Sequence, residues 1–66
     1  MRARPLTLSE LTDWAAAGAH WEVRYVDALR AEVEFCTCLG EPVERASTEE
    51  PQLVALLARV RSDREL

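Results

Sequence analysis

Lysine, isoleucine and asparagine are missing from this 66-residue chain, and its eight basic residues are all arginines. The missing three use AT-rich codons, whereas alanine and arginine are plentiful, so the expected source is a GC-rich bacterial gene. Positive charge is also short. Eight arginines against twelve acidic residues leave a net charge of −4, which repels a phosphate backbone and argues against nucleic acid as a partner. Long apolar runs are absent too, and no segment approaches the roughly 20 residues of a membrane-spanning helix. The opening stretch, MRARPLTLSELTDW, carries arginines without the apolar core of a signal peptide, so the expected location is cytoplasmic, with no membrane partner. Two cysteines are too few for the disulfide framework that braces small secreted domains, which fits a reducing compartment. Two isolated glycines cannot form a phosphate-cradling loop. The single histidine has no serine or carboxylate at a spacing that demands a triad, so no enzyme is expected.

What is present reads as a folded protein. Apolar residues make up 48% and charged residues 30%, as in ordinary globular domains. At this length a folded chain buries only about 60% of the surface its unfolded form exposes. The expectation is one small domain over residues 1–66, with residues 1–6 a frayed N-terminus.

A helix start is written into LTLSEL: Thr7 as N-cap, Glu10 to complete a capping box, and Leu6 with Leu11 as a hydrophobic staple. Leu8, Leu11, Trp14 and Ala15 then recur at helical spacing, and Gly18 offers the left-handed residue that closes such a helix. From His20 the period changes to two. Trp21, Val23 and Tyr25 alternate with Glu22 and Arg24, and Ala31, Val33, Phe35 and Thr37 alternate with Glu32, Glu34, Cys36 and Cys38. Asp27 to Arg30 suits a hairpin turn, although Asp-Ala-Leu-Arg is weak turn chemistry. Matching like faces leaves two registers, one placing His20 opposite Cys36 and the other placing it opposite Cys38. LGEP supplies a second turn, and Val43 to Ala46 returns as a short third strand behind Pro42. A final helix starts near Pro51, capped by Ser47, Thr48 or Glu50. Leu53, Leu56, Leu57 and Val60 form its stripe, acids crowd its first turn, and Arg59, Arg61 and Arg64 crowd its last.

These elements imply an α+β fold class: a small two-layer α-β-β-β-α domain, with two helices packed on one face of a three-stranded antiparallel sheet. The expected core is Leu8, Leu11, Trp14, Trp21, Val23, Tyr25, Val33, Phe35, Leu53, Leu56, Leu57 and Val60, with Val26, Leu29, Leu39 and Val54 left outside. The glutamates Glu22, Glu32 and Glu34, with Glu44, should form an acidic open face, a solvated surface or a dock for a basic partner.

Chemistry can concentrate only at the two thiols. Alternate residues of a strand stand about 6.7 Å apart, too far for a disulfide between Cys36 and Cys38, whose Cβ atoms would need to approach to roughly 3.8 Å. Cys36, Cys38 and His20 form a candidate metal set, with zinc as the ion, but the second pair of a structural zinc motif is lacking. Redox chemistry needs a stabilised thiolate, and the neighbouring glutamates disfavour one. The leading expectation is therefore a non-enzymatic protein-interaction or accessory module without a cofactor, acting as a homodimer or on a protein partner. The alternative is a thiol-based metal-binding or redox-responsive protein.

Overall fold

The computed structural model describes residues 4–65, the first two through their backbone alone. In chain order the elements are β1 (Arg4–Pro5), α1 (Leu8–Ala16), β2 (His20–Val26), β3 (Ala31–Cys36), β4 (Pro42–Thr48), α2 (Pro51–Arg59) and a 3₁₀ turn at Asp63–Glu65. The expected three-stranded antiparallel sheet and two helices are present. A further two-residue strand lies beside them, because the sheet runs β1-β4-β3-β2 with β1 parallel to β4. Residues 4–6 are thus not frayed: Arg4 and Pro5 pair with Ala46 and Ser47, the Leu6 N–H donates to the Ser47 carbonyl at 2.8 Å, and the Leu6 side chain is buried. Residues 1–3 lie outside the described residues.

Local chemistry fixes both ends of α1. Thr7 has extended backbone, and its hydroxyl accepts from the Glu10 N–H at 3.2 Å. Leu6 and Leu11, on either side of that cap, are both buried, the geometry of a staple. At the far end Gly18 has φ +90°, the Gly18 N–H donates to the Ala15 carbonyl, and the Ala19 N–H donates to that of Trp14. This is a Schellman closure, and it turns the chain directly into β2.

β2 and β3 take the register that sets His20 opposite Cys36, continuing through Trp21–Phe35 to Val23–Val33. A bulge then intervenes, and Tyr25 pairs with Glu32 while Val26 pairs with Ala31. One extra residue reverses the facing of the residues beyond it. Tyr25, expected inside, is 45% exposed, and Val26, expected outside, packs against the core. Asp27 closes this hairpin by accepting the Leu29 and Arg30 N–H groups, both at 2.8 Å.

One hydrophobic cluster joins the helices to the sheet: Leu6, Leu11, Trp21, Val23, Ala31, Val33, Phe35, Ala46, Leu53, Val54 and Leu57, with Trp14, Val26, Leu56 and Val60 at its margin. Leu8 is exposed rather than buried, since the staple fills the space beneath the first turn with Leu6. Val54 is buried because the stripe of α2 is wide enough to admit a neighbour of Leu53 and Leu57. α2 begins with Pro51 at its N-terminus and Glu50 as a cap without a side-chain bond. No acid lies in its first turn, and Arg59 alone of the three arginines lies in its last; Arg61 and Arg64 follow the helix. No helix among the described residues is long and apolar enough to cross a membrane.

Candidate functional site at the cysteine end of the sheet

Alternation along β3 turns Ala31, Val33 and Phe35 to the helices and Glu32, Glu34 and Cys36 to the open face. Cys36 is nonetheless buried, and its Sγ approaches the Glu34 carbonyl at 4.0 Å. Burial first, and then the negative charges of Glu34 and Glu22, push its thiol pKa up, which leaves it a poor nucleophile at neutral pH. β3 ends at Cys36, so Cys38 is not a strand residue. The turn is organised by the Thr37 hydroxyl, which accepts from the Leu39 and Glu41 N–H groups at 3.2 Å each, with Gly40 at φ +88°. Cys38 is exposed on that turn, and both cysteines are free thiols.

His20 begins β2 directly across from Cys36. Its Nδ1 lies 2.8 Å from Asp63 Oδ2, while Asp63 Oδ1 accepts from the Trp21 N–H at 3.1 Å. One carboxylate therefore spans two adjacent donors of β2. Burial pushes the Asp63 pKa up, but the bonds from His20 and the Trp21 N–H outweigh it and hold the group below the usual aspartate range. Behind the same strand ends, the Trp14 indole N–H is shared between the carbonyls of His20 at 2.8 Å and Cys36 at 2.9 Å. The Trp14 ring meets Phe35 edge-on at 5.0 Å. Trp21, wholly buried, has no hydrogen-bond partner for its Nε1 among the described residues.

The open face is not the acidic surface expected of it. Glu34, on the middle strand, is clamped: Arg24 donates to its Oε1 through Nε at 3.0 Å and Nη2 at 2.6 Å, and Arg45 reaches its Oε2 at 3.4 Å. The hydrogen bond from Arg24 is the main reason that the Glu34 pKa is lowered. Arg30 pairs with Glu32 at 2.7 Å. Glu44 pairs with Phe35 across the ladder and so belongs to the helix-facing side.

Of the candidate metal ligands, His20 and Cys36 are thus cross-strand neighbours, Cys38 stands apart on the turn, and His20 Nδ1 is engaged by Asp63. Among the described residues no three His, Cys, Asp or Glu side chains gather where they could hold a metal ion. Asp63 carries no signal in the sequence, since it lies 43 positions from His20 and follows no periodic pattern. Compared with known protein families, curated proteins and solved structures, the chain shows no match.

Proposed function

We propose that this chain is a small non-enzymatic protein-interaction or accessory module, working in the cytoplasm as a homodimer or against a protein partner. The observation that carries this reading is the end of the sheet around the β3–β4 turn, where Leu39 is 83% and Val43 is 56% exposed beside the exposed Cys38. Two large apolar side chains standing in water at one end of a small domain favour association there. A core of this size supplies only about 3–5 kcal/mol, so burial of that end would also add needed stability. Size-exclusion chromatography with light scattering tests the idea: mass should rise with concentration, and Leu39→Glu should abolish the rise. A chain that remains monomeric at high concentration and retains no partner from lysate sinks it.

The zinc or redox alternative draws support from His20 lying opposite Cys36. It draws less from the raised Cys36 pKa and the separate placement of Cys38. Metal analysis after mild purification separates the two readings.

A further inference from the structure

The two long edges of the sheet are covered by different means, and the covering of β2 has the geometry of a bound peptide. Beyond α2 the chain turns back along β2: the Val23 N–H donates to the Arg61 carbonyl at 2.8 Å, Ser62 forms an antiparallel bridge with Glu22, and the Asp63 carboxylate takes the Trp21 N–H and His20 Nδ1. We propose that the outer edge of β2, from His20 to Val23, is a docking site for an extended, acidic segment of a partner protein, and that Arg61–Asp63 is an internal stand-in for that segment.

Three features carry the assignment. First, the receiving groups all belong to one strand of the sheet, and two of them converge on a single carboxylate, which is charge-assisted recognition of an acidic side chain. Second, the internal segment is a short ligand. It forms one bridge and then departs into the 3₁₀ turn, whereas β2 is seven residues long. Third, it cannot lengthen its pairing. An antiparallel strand on this edge continues from Arg61 backward past Val23 toward Val26, but in this chain the residues before Arg61 are Val60 and the end of α2. A partner segment with no helix in that position can follow β2 further and gain ladder hydrogen bonds, as in strand-addition recognition. The same restriction disfavours a second copy of this chain as the occupant, since its Arg61 is also joined to a helix. This site uses the edge of β2 and not the side chains of Leu39 or Val43, so either reading can fail without the other.

The experiment uses the full ¹⁵N-labelled chain and a synthetic peptide, Thr-Val-Thr-Val-Arg-Ser-Asp, amidated at its end, with an otherwise identical peptide ending in Asn as control. In the Asp63→Ala variant the internal segment has lost its grip on His20 and Trp21. The peptide should bind that variant at least tenfold more tightly than the parent chain, with amide shifts centred on His20–Val26, and the Asn peptide should bind several-fold more weakly. Equal affinity for parent and variant, shifts centred elsewhere, or a dimer formed by exchange of Arg61–Asp63 between copies would each overturn the proposal. Hydrogen exchange on the parent chain decides the matter should the variant not fold. A displaceable segment requires the Val23 amide to exchange faster than the Val33 amide, and equal protection of the two refutes it.

Discussion

The side of the sheet turned to the helices and the side turned away are made from alternate residues of the same strands, yet they are held by different forces. Trp21, Val23, Val33, Phe35 and Ala46 close the inner side by exclusion of water, a force indifferent to direction and proportional to the apolar area covered. On the outer side Glu22 stands opposite Glu34, an unfavourable like-charge pair, and the ladder tolerates it because two arginines converge on Glu34. Glu34 is buried there without any covering layer, since the aliphatic stems of long arginine side chains can themselves shield a carboxylate. The difference teaches that the inner side is held by burial of apolar surface, while the outer side is held by ion pairs that reach across the strands.

That division can be broken most sharply from within. Phe35→Ala removes a fully buried ring and the edge-on contact with Trp14, and should cost about 3–5 kcal/mol. In a domain with so small a core, circular dichroism at 25 °C should then show a largely unfolded chain. Trp14→Phe keeps an aromatic ring but leaves the His20 and Cys36 carbonyls without their shared donor, so a loss of about 1–2 kcal/mol is expected in urea denaturation. Glu34→Gln, on the outer side, should cost less than about 1 kcal/mol, and the loss should shrink in high salt, because both arginines reach solvent.

The pH dependence sharpens the same contrast. Glu34 and Asp63 both titrate below their usual values when folded, so their contribution is present above the ordinary carboxylate range, near about pH 4, and is lost as pH falls through the depressed values. Acid denaturation of Glu34→Gln and Asp63→Asn should accordingly be flatter than that of the parent, whereas Phe35→Ala should lower stability at every pH. The smallest effect belongs to the thiols. Cys38→Ser should change stability by no more than about 0.5 kcal/mol. Iodoacetamide should label Cys38 at least roughly tenfold faster than the buried, high-pKa Cys36. Comparable labelling rates would show that the outer side opens readily.

Much of the inner side is legible in the sequence because its signals are local. Leu6, Thr7, Glu10 and Leu11 encode the start of α1 within one turn, and Val33 with Phe35 declares the buried side of β3 by simple alternation. The misplacement of Tyr25 has a different origin: the bulge before it sits where the Arg24 side chain pairs with Glu34 on the neighbouring strand, a partner ten positions away. Alternation in the sequence runs on through Cys38 and extends the expected strand to it, but the Thr37 hydroxyl starts a turn one residue earlier. The His20–Asp63 contact is hidden for the plainest reason, since its partners lie 43 positions apart and no periodicity spans such a distance.

The two indoles offer a practical return. Trp14 shares its N–H between two carbonyls at the mouth of the strands, while Trp21 sits sealed, its nitrogen unengaged among the described residues. Their emission should therefore differ in colour, and single-tryptophan forms would turn one small chain into a pair of spectroscopic gauges, one reading the docking of the first helix and the other the wetting of the interior.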